Sequence, residues 1–469
     1  MVVERAPYIN YNELDSNPLL TGEGSEIPIF IGTSSNTISS VSRNNIYQCK
    51  NIDEVEDIIG TSGNLYSNIK DFYKENTARL LSGATDVAVP YIYVFDLGNN
   101  SKIEDYKKAL KESKVKRDST CVAIIGSASQ SANDIKWDEL TEEVTTGTGN
   151  EQTTQEVTKY ELTNPDEVVF SPLYKATLDA NVKQIIDKAY SGVKLTADEK
   201  SSFESAFNAN AKNLQITFAN VIKNELKEET RHGMLRIAYI GIDSQTNSET
   251  FEEYVERISD ITSTVKSSRI GFVELKHTSD LGLTVARICS TPYYIEPGYG
   301  EYLAVETTQY TYFDERTPEE RDALFNAGLI FNEYDYTLPE ITPRICLAVS
   351  SSWGVKEHSE MDKRVNDALI HARRNVDHQI RELFKVIAPQ LKRNETSVNL
   401  MQLTTELNIC LDSERDAGRI QEYSISVEEV TMNPYCLKIS GRIVPVNSTL
   451  AIEFENYVGA PYAIATDYV

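Results

Sequence analysis

The chain has 469 residues, of which 40% are hydrophobic and 25% are charged, as in globular proteins and unlike disordered or fibrous ones. This length exceeds the usual size of one hydrophobic core, so we expect two or more domains. The 71 acidic and 46 basic residues give a formal net charge of -25, which argues against nucleic acid as the main partner because a phosphate backbone is bound by basic surface.

The six cysteines lie far apart and form no C-x-x-C motif, which is typical of reduced, buried thiols in a cytoplasmic product. They are Cys49, Cys121, Cys289, Cys346, Cys410 and Cys436. Neither a signal peptide nor an apolar run long enough to cross a bilayer is recognisable. The sequence therefore predicts neither secretion nor a contact with membranes.

An extended arm is predicted for residues 1–25, where Pro, Asn, Asp and Gly surround the short pair Tyr8 and Ile9. The following run, 27–31, is wholly apolar but for Pro28 and ends at a glycine, which predicts a buried strand that leaves into a turn. The first regular element of the fold should therefore begin near residue 27.

Helices and strands then alternate, which predicts parallel βαβ units. The expected helices are 53–59, 65–81 and 103–110, and the expected strands are 91–95 and 120–125. Residues 131–170 interrupt the pattern with a stretch rich in Thr, Glu and Asn, and helical patterns follow at 175–190 and 197–226. We interpret 131–230 as an inserted surface domain.

The α/β pattern resumes after the insertion. Its predicted elements are strand 235–242, helix 249–266, strands 270–275 and 284–289, helix 318–327, and strands 329–331 and 344–349. The fold class is therefore α/β, with a mostly parallel sheet in a split domain made of 26–130 plus 231–350.

The last part of the chain predicts an α+β domain over 351–448. Residues 361–391 form a helix with one apolar face, and 398–415 form a second helix that stops before Gly418. Apolar and polar residues alternate at 425–427, 437–439 and 450–454, which indicates half-buried strands. Residues 449–469 should form a final strand and a tail.

Signals for catalysis and for cofactors are weak. The sequence contains no G-x-x-x-x-G-K-[ST] loop, and two of the five histidines, His371 and His378, share a helix but lie seven residues apart. Ser350–Ser352 lack the G-x-S-x-G elbow that exposes a nucleophile. We expect no catalytic residue, metal or cofactor, and keep a Rossmann-like nucleotide-dependent enzyme as an alternative.

The helix predicted over 361–391 is basic, unlike the rest of the chain. Eight basic and four acidic residues between Met361 and Arg393 give it a local balance of +4. A solvated helix surface explains this equally well.

The order of these features resembles the tail sheath protein of contractile phages and of phage-tail-like injection systems. The shared features are an extended start around Pro7-Tyr8-Ile9, a strand ending at Ile31-Gly32-Thr33, a split α/β domain, the long helix 361–391, a helix ending at Gly418-Arg419-Ile420, a hairpin turning at Asn433-Pro434, and a final strand. Residues 340–458 contain most of the resemblance.

The resemblance implies a homo-oligomeric, non-enzymatic subunit that packs as six-fold stacked rings or a helix around a tail tube and contracts to drive the tube through an envelope. Baseplate and tail terminator proteins would be further partners. The implied location is the virion tail, with assembly in the cytoplasm of a bacterial host. A different virion or baseplate structural protein is the main alternative.

The resemblance also implies where copies meet. An N-terminal arm containing Tyr8 and Ile9, and a C-terminal strand containing Leu450, Ile452 and Phe454, would be donated to a neighbouring hairpin built on 425–430 and 437–446. The C-terminal domain would face inward and the insertion outward. We expect Arg373, Arg374, Arg381 and Lys385 to form a positive helix face against an acidic tube.

Overall fold

A computed structural model describes residues 26–34, 44–81, 89–98, 102–126, 135–146, 153–295, 297, 316–335, 344–348, 370–390, 400–429 and 437–446. Its centre is one eight-stranded sheet with the order β10-β9-β8-β7-β4-β1-β3-β2. The strands are β1 (Ile27–Gly32), β2 (Ile46–Cys49), β3 (Ile92–Asp96), β4 (Ser119–Ile124), β7 (Ile237–Asp243), β8 (Ile270–Leu275), β9 (Leu329–Asp335) and β10 (Arg344–Ala348).

The prediction of a mostly parallel sheet is confirmed. The six strands from β3 to β9 run parallel, and the edge strands β2 and β10 are antiparallel to their neighbours. All residues of β1 and β3 are buried because helices cover both faces of the sheet.

Two layers of helices enclose the sheet. Helices α3 (Ile103–Ser113), α7 (Ala211–Arg231), α8 (Phe251–Val265) and α10 (Pro318–Asn326) pack on one face. Helices α1 (Ile52–Ile59), α2 (Asn64–Leu81) and α9 (Asp280–Cys289) pack on the other. Successive side chains of β1 point to opposite faces of the sheet: Ile29 packs against the first layer of helices and Phe30 against the second.

The predicted strand 284–289 is wrong, because this segment lies in helix α9, all ten residues of which are buried. A helix buried on every side has no polar face, so its apolar run cannot be distinguished from a buried strand by periodicity. Close packing against α2 explains the burial: a Cβ at Gly282 would stand 1.9 Å from the carbonyl oxygen of Asn68.

The inserted region contains a hairpin that the sequence analysis did not predict, formed by antiparallel strands β5 (Trp137–Thr146) and β6 (Thr153–Leu162). Helices α4 (Pro172–Thr177), α5 (Ala180–Tyr190) and α6 (Ala197–Asn208) follow it. Together they enclose an apolar cluster of their own around Phe170, Phe203 and Phe207.

Helix α7 falls inside the predicted insertion range of 131–230, but its apolar face belongs to the core of the sheet. Ile216, Val221 and Leu226 pack there. Its polar residues hold the insertion instead: Asn213 Oδ1 accepts from the Ser171 amide at 2.8 Å. The apolar cluster of the insertion therefore reaches into the first turn of α7, at Leu214, and the rest of the helix belongs to the sheet.

The C-terminal part contains α11 (Ile370–Ile387), a 3-10 turn at Ala388–Gln390, α12 (Leu400–Asp416), and the antiparallel strands β11 (Ile420–Glu429) and β12 (Leu437–Pro445). The glycine cap expected after the second helix is present, since Gly418 has φ 71°. Leu403, Leu407 and Leu411 pack α12 against the hairpin. Among the helices in the described part of the chain, none combines the length and hydrophobicity needed to span a membrane.

Candidate assembly interface and the ionic joint behind it

Helix α11 lies against the amino-terminal edge of the parallel sheet. Glu26 immediately precedes β1, Arg236 precedes β7 and Arg269 precedes β8. Because parallel strands begin at the same edge, these three charged residues share it. Residues of α11 bind two of them, Glu26 and Arg269. We call this set of contacts between α11 and the sheet edge the ionic joint.

Asp377 is the centre of the ionic joint. Its carboxylate lies 2.7 Å from Nη1 of Arg269 and 2.6 Å from Nη2 of Arg373, and all three side chains are buried. Burial by itself would raise the pKa of Asp377, but the two guanidinium groups outweigh it and lower this pKa to about 2. The carboxylate is therefore charged at neutral pH.

Arg374 joins the first strand to the C-terminal part of the chain. Its Nε lies 2.9 Å from Oε2 of Glu26, and its Nη2 donates to the carbonyl of Thr291 at 2.6 Å. Arg381, one turn beyond Asp377, donates from Nη1 to the carbonyl of Leu235 at 3.4 Å. Arg374 and Arg381 thus bind groups of the α/β domain.

The predicted positive face against a tube is wrong for Arg373 and Arg374, whose relative exposure is 1% each. Both charges are neutralised within the chain, that of Arg373 by Asp377 and that of Arg374 by Glu26. Arg381 is only partly exposed. Lys385 differs, since its side chain is 70% exposed and forms an ion pair with Glu382 on the same helix.

His378 lies on α11 beside the turn that follows α9. Its ring centroid is 4.4 Å from that of Tyr293, with the two planes at 77°. Burial lowers the pKa of His378, the positive charges of Arg381, Lys385, Arg374 and Arg419 act in the same direction, and together they bring it to about 2. The folded chain therefore keeps this imidazole neutral.

The hairpin of β11 and β12 presents open edges in the described part of the chain, where each strand pairs only with the other. One face packs on α12 through Tyr423, Ile425 and Ile443, while Glu422 and Arg442 form an exposed ion pair. A two-stranded sheet is marginal in water, and its outer edges carry free backbone donors and acceptors. This geometry can accept an added strand on either side.

The residues predicted to be donated lie outside the described residues. They are Tyr8 and Ile9 of the arm, and Leu450, Ile452 and Phe454 of the final strand.

The carboxyl-terminal edge of the sheet is where a Rossmann-like enzyme would bind a ligand, because the strand order reverses between β3, β1 and β4. Asp96 ends β3 there, and its carboxylate accepts hydrogen bonds from the Ser34 amide at 3.1 Å, the Ser34 hydroxyl at 2.8 Å and the Gly98 amide at 2.8 Å. Within the described ranges, no group of three His, Cys, Asp or Glu residues is placed to hold a metal ion. Asp96 therefore fixes the loops that follow β1 and β3.

No family model and no curated protein matches the sequence. A chain in the anti-feeding prophage baseplate, 6-fold symmetrised, matches the structure with a TM-score of 0.53 at 9% identity, covering 98% of this chain and 100% of that one. A chain of the anti-feeding prophage helical sheath in its contracted state matches with a TM-score of 0.51 at 8% identity, covering 97% and 99%. This chain has the fold of contractile injection system components. The likeness to the anti-feeding prophage chains covers nearly all of each chain.

Sequence reasoning missed the ionic joint as a feature. A signal for it exists: Glu26, Arg236 and Arg269 each stand directly before a buried strand. A charge in that position must be solvated or paired at the sheet edge. Three such charges on parallel strands predict a charged partner across that edge.

Proposed function

We propose that this chain is the subunit of a contractile sheath, which polymerises around an inner tube and shortens to drive the tube through a cell envelope. The observation that supports this most directly is the likeness, over 97% of this chain, to a chain of a helical sheath. The open hairpin of β11 and β12 supports it independently, because a polymer of identical subunits needs surfaces that remain unsatisfied in one copy.

In this proposal, neighbouring copies complete the hairpin. The C-terminal strand of one copy, with Leu450, Ile452 and Phe454, and the N-terminal arm of another, with Tyr8 and Ile9, add to its two edges. Each backbone hydrogen bond contributes about 1 kcal/mol net. Full burial of each of the three C-terminal apolar side chains adds about 1.5–3 kcal/mol. Head-to-tail contacts of this kind generate rings or helices, here six-fold.

The proposed partners are further copies of the chain, a tail tube protein, and baseplate and tail terminator proteins. The C-terminal part would face the tube, with Lys385 as the member of the predicted basic set that retains an exposed charge. The proposed location is the tail of the particle, after assembly in the cytoplasm of a bacterial host. The net charge of -25 disfavours direct contact with nucleic acid.

Negative-stain electron microscopy of the purified chain tests this proposal. The full chain should form long tubes of regular width, and a chain truncated after Ser448 should remain as monomers or short oligomers. A second variant changes Leu450, Ile452 and Phe454 to serine, and its control changes Ala451 to serine and Glu453 to glutamine. Because alternate residues of a strand face opposite sides, the control should keep its tubes. Tubes that are unchanged by the truncation would show that strand donation is wrong.

A structural role in a baseplate is the second candidate, supported by the likeness to a baseplate chain. A baseplate subunit would form finite rings and would stop there, since a closed ring has no free contact for a further copy. The same micrographs therefore separate the two functions.

A further inference from the structure

A groove of about 450 Å³ opens on the insertion, between α4 and α5 on one side and α6 on the other. This volume lies within the range of small-molecule sites, which is about 300–1,000 Å³. Its lining includes Tyr174, Leu178, Asp179, Val182, Ser201 and Ser205. None of them belongs to the large sheet, the ionic joint or the hairpin.

The floor of the groove is apolar and fixed. Tyr174, Leu178 and Val182 are partly buried and pack against the core of the insertion. That core includes Phe203, whose ring lies 5.2 Å from that of Phe170 in an edge-to-face contact. The floor therefore offers an aromatic side chain and aliphatic carbon on a rigid base.

The rim of the groove is polar, and the side chains of three of its residues make no hydrogen bond to another described residue. Asp179 occupies the N-cap position of α5, where an aspartate normally accepts a hydrogen bond from the helix, yet its side chain makes none. Ser201 and Ser205 are one helical turn apart on α6, and both are exposed. Neither hydroxyl forms a hydrogen bond in the described part of the chain, whereas the neighbouring Ser202 donates to the Asp198 carbonyl at 2.8 Å.

We propose that this groove binds a neutral saccharide. A sugar ring has an apolar face of C–H groups, which suits the floor of Tyr174, Leu178 and Val182, and a rim of hydroxyls. The hydroxyls can donate to the Asp179 carboxylate and exchange hydrogen bonds with the two serines. Anionic sugars are disfavoured because the only charged group at the rim is a carboxylate and the chain as a whole carries -25.

Saturation-transfer NMR on the full chain tests this inference, with methyl α-D-glucopyranoside and methyl β-D-galactopyranoside as the probes. We expect one of them to bind with a Kd of about 1–10 mM, as suits a ligand of this size in a shallow site. Asp179→Asn should weaken binding about tenfold, since it removes a charged acceptor. Ser205→Tyr, which fills the groove, should abolish it.

Ser191→Ala is the matched control, because its hydroxyl already donates to the Asp187 carbonyl at 2.7 Å and it does not line the groove, and it should bind as the parent does. Absence of transfer to either glycoside, or transfer that survives Ser205→Tyr, overturns the inference. Polymer formation should be unchanged in Asp179→Asn and Ser205→Tyr. If Ser205→Tyr abolishes polymers and neither glycoside binds, the groove is a contact between copies and no saccharide site exists. The inference does not depend on the sheath proposal.

Discussion

At the scale of single residues, Asp377 decides the stability of the ionic joint. It lies between two buried guanidinium groups, those of Arg269 and Arg373. Asp377→Ala leaves both cations buried without their partner, so we expect the free energy of unfolding to fall by about 3–5 kcal/mol. Urea unfolding followed by circular dichroism measures this loss.

The control for Asp377 is Asp416→Ala, because the side chain of Asp416 is 73% exposed and pairs with Arg415 at 3.2 Å. This variant should change the free energy of unfolding by less than about 0.5 kcal/mol. Equal losses in the two variants would mean that the ionic joint does not stabilise the fold.

His378 gives the stability of the chain a dependence on pH. The folded chain holds its pKa at about 2, whereas the ordinary value is 6.5. Below the ordinary value, the unfolded chain binds a proton that the folded chain rejects, so stability is lost as the pH falls from 6.5 toward 2. This one residue contributes a slope of about 1.4 kcal/mol per pH unit in that range.

We therefore expect His378→Gln to unfold with a shallower dependence on pH than the parent between about pH 6.5 and about pH 4.5. Urea unfolding at several pH values measures both slopes. His232→Gln is the control, since the His232 side chain is 71% exposed, and it should keep the slope of the parent. A slope that is the same in the parent and in His378→Gln would contradict the burial of a neutral ring.

The same residues show what a sequence leaves undetermined. Arg373 and Lys385 lie on one helix and both look like parts of a basic surface, yet one is buried and the other exposed. The difference arises from Arg269, which lies 108 positions before Asp377 in the chain. The residues of one helix do not reveal a contact with a residue so far away in the sequence, so periodicity cannot distinguish a buried arginine from a solvated one.

At the scale of elements, the close contact between α2 and α9 can be tested by a substitution at Gly282. Gly282→Ala places a Cβ 1.9 Å from the Asn68 carbonyl oxygen, so the helices must move apart. We expect a loss of about 1–3 kcal/mol, measured as a lower melting temperature. Ser263→Ala on the exposed face of α8 is the control and should melt near the parent. A Gly282→Ala chain that melts with the control would show that the helices are not in close contact.

The elements that could be predicted are those with one buried face or with clear end signals. The buried strands β1, β4 and β8 and the amphipathic helix α8 fall within a few residues of their expected bounds. Part of helix α9 was predicted as a strand because a helix that is buried on every side shows no helical alternation of apolar and polar residues. Hairpin β5–β6 was missed because polar residues dominate both strands and no regular apolar alternation marks them.

At the scale of the whole molecule, the charge of -25 opposes every proposed contact between copies. Salt weakens this repulsion, since the Debye length falls from about 30 Å at 0.01 M to about 10 Å at 0.1 M. Polymer formation should therefore increase with sodium chloride over that range. Sedimentation of the full chain measures the increase, with the chain truncated after Ser448 as the control that stays in solution. Polymers that dissolve as salt is added would show that attraction between opposite charges drives assembly.

The bond from Arg374 to Glu26 spans 348 residues and has a consequence for synthesis. When the first strand leaves the ribosome, the cation that will neutralise Glu26 has not yet been made, and Asp377, the partner of Arg269, also comes later. A nascent or broken chain that lacks α11 therefore exposes the charges of Glu26 and Arg269 at the uncovered amino-terminal edge of its sheet. Only a chain translated beyond α11 can close this edge of the sheet, so formation of the ionic joint reports that synthesis has passed this helix.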